Sequence, residues 1–193
     1  YFLFSRRDCE AAADVCAMMR LRAIQTPTAR REIEAILAKY MDRLAPEDRA
    51  LEQVKSVVYL ARRGFGFHHA GLLPILKQLV EELFSRALMR VVFATDTLAL
   101  GINMPARSVI IPQLNKFDGA THRPLTGREF QQLIGRAGRR GMDIAGIAVL
   151  LYDEWMTCDE GMQVAKRPLE PVSSSFALRY NSPVNLPFSY GAV

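Results

Sequence analysis

Three short runs constrain the fold more than anything else in this chain: RVVFAT (90–95), SVIIP (108–112) and GIAVLLY (146–152). Each is continuously apolar over strand length, the pattern of strands covered on both faces, as in a parallel sheet. Between such runs lie longer amphipathic stretches at helical spacing, so the alternation specifies an α/β sheet rather than a bundle or a sandwich. YFLF (1–4) reads as a further buried strand, and GFGFHHAG (64–71) as a short strand and loop. Helices are expected from Ser5, a candidate N-cap, over residues 6–22, and twice within 28–62, where LAPEDRA interrupts and Pro46 suits a first turn. Two more are expected over 72–88 and from Thr126 to about Ile134. Beyond Tyr152 the periodicity fades into RPLEPVSSS and YNSPVNLPFSY, read as a linker towards a further domain and not as part of the sheet.

A chain of 193 residues with 50% hydrophobic content can bury one sizeable core. The formal charge of +5 is compatible with a polyanionic partner, and the positions of the arginines must decide. Cys9, Cys16 and Cys158 include no C-x-x-C pair, which argues against a disulfide framework or a zinc ribbon and suits a reducing, intracellular setting. No apolar run reaches membrane-spanning length and no signal-peptide pattern opens the chain, so a soluble protein without a membrane partner is expected. The start at Tyr1, directly in a strand-like run, reads as part of something larger.

Chemistry concentrates in QQLIGRAGRRGM (131–142), where three arginines and three glycines follow a helical pattern. Arginine recognises phosphate through a fixed fork of donors, and glycine lets backbone approach a ligand closely. Arg136 and Arg139, three apart, can project in one direction onto a polyphosphate, with Arg140 directed elsewhere. A solvated helix end and an arginine-glycine nucleic-acid segment remain open as readings at this level. In FATDTLALGINMPAR (93–107) a strand runs out at Thr95 and a short helix begins, with Asp96 or Thr97 as cap. Amides and hydroxyls at such a junction suit a backbone phosphate, and an ordinary capped helix is the competing reading. His68 and His69 are adjacent on a strand and point to opposite faces, which speaks against a metal site; one is expected packed and the other exposed at a loop. Phe65 and Phe67 read as core, and no nucleophile with a plausible histidine partner is present.

Taken in order, these segments resemble the superfamily 2 nucleic-acid helicases, and within them the DExH-box RNA helicases of the exosome-associated Ski/Mtr type. QLIGRAGRRG (132–141) resembles motif VI, FATDTLALGINMPAR motif V, FLFSRRDCEAAA (2–13) motif IV, and GFHHAGLLP the H-H-x-G-L-L-P element. SSFALRYNSPVNL (174–186) resembles the stretch leading into a winged-helix domain.

The resemblance implies the second of two RecA-like domains, an open parallel sheet with helices on both faces over residues 1–152, with an irregular tail at 153–193 as linker and start of a winged-helix region; a helical insertion at about 22–60 departs from the family's pattern. It implies ATP with Mg2+ as cofactor, the metal held mainly by the first RecA-like domain of the same chain. Arg136, Arg139 and Gln132 then match the catalytic positions of motif VI, and Gly101 and Asn103 match motif V positions near the nucleotide. Thr95, Ser5, Arg6, His69 and Gly71 fall where this family contacts the strand. RNA is the implied partner, DNA remaining possible through the related Hel-type repair helicases, together with an RNA-decay or RNA-processing complex. A non-catalytic nucleic-acid-binding module is the third reading. Neither G-x-x-x-x-G-K-[ST] nor D-E-x-H occurs, so ATP hydrolysis by this chain alone is not expected, and Pro183 and Pro187 break the expected start of the winged helix.

Overall fold

The computed structural model describes residues 1–19, 26–96, 104–117, 120–151 and 157–169. Helix α1 (Arg6–Met18) begins at Ser5, whose hydroxyl accepts the Asp8 amide and satisfies one open donor of the first turn. Helix α2 (Pro27–Met41) starts in the same way on Thr26, with Pro27 placed where its missing N–H is not needed. A single 3-10 turn (Asp48–Ala50) leads into α3 (Glu52–Ala61). Strand β1 (Phe65–His68), helix α4 (Pro74–Ser85) and strand β2 (Val91–Ala94) follow. The second half holds β3 (Ser108–Ile111), the strands β4 (Asn115–Phe117) and β5 (His122–Pro124), α5 (Gly127–Ile134), β6 (Ile147–Leu150) and α6 (Cys158–Ala165).

Strands β1 and β2 pair in parallel, from Phe65 opposite Val91 to His68 opposite Ala94. Strands β3 and β6 also pair in parallel, from Ser108 opposite Ile147 to Ile111 opposite Leu150. Residues 1–3 join the two pairs. The Leu3 amide donates to Ala94 O, the Ala94 amide to Tyr1 O, and the Phe2 amide to Ile110 O. The order is therefore β1, β2, residues 1–3, β3, β6; the run at the start of the chain, expected as a buried strand, forms a bridge at Phe2, its one buried residue, and lies at the centre of the sheet. This arrangement is the RecA-like α/β class expected from the sequence.

Helices α1 to α4 bury Ile33, Leu37, Val57, Leu60, Leu76 and Leu79 against β1 and β2 in one apolar cluster. A second cluster joins Phe2, Ile111, Leu125, Phe130, Leu133 and Val164 over β3, α5 and α6. Strand β1 is buried throughout. Gly66 backs onto Met89 and Val80 of α4, where a Cβ would stand 2.9 Å from the Met89 sulfur, while the Phe67 ring stacks on His69 at 5.4 Å.

Three features differ from the sequence reading. Strand β6, expected to be covered on both faces, leaves Ile147 and Val149 at 48% and 37% exposure, and Leu151 just after it at 44%. It stands at the end of the sheet order with β3 as its strand partner, and an apolar run announces a strand without saying what lies over it. The antiparallel β4–β5 hairpin was not anticipated. Nor was α6, within the stretch read as linker. It opens on Thr157 with a capping box from Glu160 and buries Val164, and the following Arg167 donates to Leu125 O at 3.2 Å. The winged-helix-like stretch at 174–186 lies outside the described residues. Among the described residues no helix is long and apolar enough to cross a membrane.

Candidate functional site

The end of β1 and the start of α1 meet at the carboxyl edge of the sheet. His69 is 2% exposed; its Nδ1 accepts the Gly71 amide at 3.1 Å, which leaves the proton on Nε2, 2.9 Å from Glu10 of α1. His68, 3% exposed, points the other way and places Nε2 2.9 Å from Glu81 of α4. The expectation of opposite faces holds. That one histidine would be exposed does not: the loop after β1 turns back on itself, and each imidazole meets a helix carboxylate. Burial lowers the His68 pKa against the opposing pull of Glu81.

Gly71 is exposed and lies against Arg6, whose Nη1 would be 3.1 Å from a Cβ at that position. The Thr95 amide donates to His68 O at 3.2 Å, continuing the sheet one residue past β2. Ser5, Arg6, His69, Gly71 and Thr95, scattered through the first half of the sequence, are thus gathered at one edge. The Ser5 hydroxyl is engaged by the Asp8 amide, so what that helix start presents is the exposed Arg6.

Beside Thr95 lies a polar cluster that sequence reasoning missed. Lys116 of β4 contacts Asp96 at 3.2 Å and Glu129 of α5 at 2.6 Å, and Arg123 of β5 grips Glu129 with two bonds of 2.9 and 2.8 Å. Glu129 also accepts the Thr126 amide, closing a capping box. The Arg123 bonds come first among the causes that hold its carboxyl well below the usual range, with burial opposing and Lys116 adding to the effect. The T-x-x-E pattern at 126–129 was the available signal. Gln132, one turn further along α5, lines a cleft of about 90 Å³ with Phe4, Asp96 and Lys116.

The arginine loop occupies the opposite, amino edge. The Ala106 amide donates to Arg136 O at 2.8 Å and the Gly138 amide to Ala106 O at 2.7 Å, immediately before β3 begins. Regular helix ends at Ile134, and Gly138 has φ +90, so helical spacing no longer relates Arg136 to Arg139. Arg136 lines a cleft of about 170 Å³ with Tyr1, Arg90, Met104 and Ala106. Arg139 forms a side-on pair with Asp143 at 2.8 and 2.9 Å. Gln132, Arg136 and Arg139 therefore face three different surroundings. Gly101 and Asn103, and the cap and short helix expected after Thr95, lie outside the described residues apart from Asp96.

The parallel α/β sheet thus carries one set of polar residues at its carboxyl edge and an arginine loop at its amino edge. Residues 42–141 match the helicase conserved C-terminal domain, and the chain belongs to that family. It is 45% identical over 185 residues to human exosome RNA helicase MTR4, covering 96% of this chain and 18% of that protein. It is 42% identical to ATP-dependent RNA helicase mtr4 of Schizosaccharomyces pombe, covering 96% of this chain and 16% of that one. It is 44% identical to the probable helicase HelY of Mycobacterium tuberculosis, covering 96% and 20%. The chain thus spans a fifth or less of the length of these relatives.

Proposed function

We propose that this chain is the second RecA-like domain of an ATP-dependent 3'-to-5' RNA helicase of the Ski/Mtr type. The observation that carries the reading is the separation of the two residue sets: strand-contacting candidates at the carboxyl edge, arginines at the amino edge, one sheet rigidly between them. A motor needs this layout, because nucleotide and strand must be held at once by one body whose movement couples them.

At the carboxyl edge the exposed Arg6 offers a cation and the exposed Gly71 lets a sugar-phosphate backbone approach, while Thr95, buried at the end of β2, is assigned to the strand by its motif position. His69 holds that loop through the Gly71 amide and Glu10. Ser5 fixes the helix start from which Arg6 projects. Contacts of this type read phosphate and not base, as movement along any sequence requires.

At the amino edge the residues fit an anionic triphosphate. The Asp143 bonds use Nε and Nη2 of Arg139, leaving the Nη1 side without a hydrogen bond among the described residues, and Arg136 opens onto the neighbouring cleft. ATP supplies the phosphoanhydride whose hydrolysis drives the cycle. Arg136 and Arg139 would neutralise the charge that develops on its non-bridging oxygens, a contribution on the order of a thousandfold or more in rate. Gly101 and Asn103 are assigned to the nucleotide by their motif positions, and so is Gln132, although its side chain lines the carboxyl-edge cleft with Asp96 and Lys116. Among the described residues no cluster of His, Cys, Asp or Glu could hold a metal ion, and Mg2+ is assigned mainly to the first RecA-like domain. RNA-decay or RNA-processing complexes are the proposed setting, since one relative bears an exosome name.

The test is Arg139→Ala in the full-length enzyme, with ATPase and RNA binding measured together. Turnover should be abolished while RNA binding is largely kept; normal turnover sinks the assignment. Stimulation by single-stranded RNA well above that by single-stranded DNA supports the RNA reading, and the reverse supports a Hel-type DNA enzyme.

A further inference from the structure

We propose that Asp143 is the positioning residue of the arginine loop: its carboxylate holds Arg139 by the Nε/Nη2 edge and presents the opposite edge of the guanidinium outward to a phosphate oxygen. The inference rests on the role proposed above for Arg139.

Oδ2 of Asp143 accepts both Arg139 Nε and the Arg139 backbone amide at 2.8 Å, and Oδ1 accepts Nη2 at 2.9 Å. The reverse bond, from the Asp143 amide to Arg139 O at 2.9 Å, closes the loop. One carboxylate therefore fixes both ends of a side chain that would otherwise sample many rotamers. The loop backbone is itself set by Gly138 and Gly141, at φ +90 and +76, and by Gly146, whose α-carbon lies against Gly138.

Which edge is held decides between positioning and blocking. A carboxylate on the Nη1/Nη2 edge would occupy the place of a phosphate; one on the Nε/Nη2 edge leaves a two-donor face open. Asp143 takes the second arrangement. Its side chain is 8% exposed against 31% for Arg139, so the guanidinium covers the carboxylate and is itself left partly open. The Arg139 bonds hold the Asp143 carboxyl down at about 2, with Arg107 contributing, so the anchor keeps its charge throughout the physiological range.

Asp143→Asn in the full-length enzyme replaces one acceptor with a donor facing the guanidinium. Expected with saturating RNA is a kcat loss on the order of 10- to 100-fold, since misplacing a reacting contact by about an ångström costs that much. KM for ATP and RNA affinity should stay within about threefold, because the lost contact acts chiefly on the transition state. Asp143→Glu, which keeps the charge one methylene further out, should recover part of the kcat that Asp143→Asn loses, and Asp143→Ala serves in place of the Asn variant if that does not fold. Against the residual single-turnover rate of Arg139→Ala, Asp143→Asn should cost nothing further. Wild-type kcat in the folded Asn or Ala variant, with Arg139→Ala reduced to that residual rate, overturns the inference alone. The same factor lost with and without Arg139 also overturns it, because the effect would then be structural. Normal turnover in Arg139→Ala removes the functional reading and this inference together.

Discussion

The ammonium of Lys116 lies 2.6 Å from Oε1 of Glu129, and Glu129 is also the acidic member of the box that opens α5. Two carboxylate oxygens thus serve Lys116, both ends of Arg123 and the Thr126 amide. Glu129→Gln keeps the shape but removes the negative charge between Arg123 and Lys116, the latter only 17% exposed and left with Asp96 as its carboxylate partner. Partial exposure reduces the penalty of a fully buried broken pair, so a loss of about 2 kcal/mol is expected from urea denaturation. A change below about 0.5 kcal/mol would reduce the cluster to surface decoration.

Acid should weaken the fold through the same residue. The native Glu129 carboxyl is held below its ordinary value of 4.5, chiefly by Arg123, so its contribution is complete above about 4.5 and is lost as pH falls towards the depressed native value. Urea midpoints of the wild type should fall steeply between about pH 5 and 3, and those of Glu129→Gln less steeply. Parallel curves would remove Glu129 from the account.

His68 gives a second, higher window. Burial lowers its native pKa below 6.5, so the unfolded chain binds the proton more readily. Stability is complete above about 6.5 and declines as pH drops beneath it. His68→Gln, retaining a donor for Glu81, should flatten the curve between about pH 7.5 and 5.5, where Glu129 is silent.

A Cβ at Gly146 would run into the backbone of Ala137 and Gly138, whereas one at Gly141 meets open space and only the strain of φ +76. Gly141→Ala should therefore cost about 1 kcal/mol and Gly146→Ala several times as much, the latter also loosening the Ala106–Ala137 bridge. Comparing the two denaturation midpoints checks the order.

Thiol chemistry reports on α1 packing. Burial, reinforced by Asp8 and Glu10, pushes the Cys9 thiol up to about 12, while Cys158 is exposed at the start of α6. Alkylation at about pH 8 followed by mass spectrometry should label Cys158 quickly and Cys9 only on unfolding. Equal labelling would mean that α1 does not lie on the sheet as described.

Much of the sheet was legible because parallel strands are short, wholly apolar runs, and β2, β3 and β6 needed nothing more. The hairpin escaped because Asn115–Phe117 and His122–Pro124 are three residues each and mostly polar, so they carry no alternation. Helix α6 repeats at Thr157 and Glu160 the capping pattern of Thr126 and Glu129, and was readable by the same rule. The second buried histidine was not, since Glu10 stands 59 positions from His69 and only the fold brings them together. Asp143 was hidden for a related reason: its grip on Arg139 depends on glycines whose dihedrals a sequence does not display. Arg136 and Arg139 stood out by residue type and spacing, but their separate surroundings follow from where α5 stops.

The placement of residues 1–3 between β2 and β3 has a consequence for biosynthesis. The earliest-made part of this segment must wait for both neighbours, roughly a hundred residues later, which at ribosomal speeds of about 5–20 residues per second means on the order of 5–20 s. During that interval Phe2 and the apolar side of α1 have no sheet to cover. The centre of the sheet therefore closes late, since residues 1–3 lie between strands made roughly a hundred residues after them.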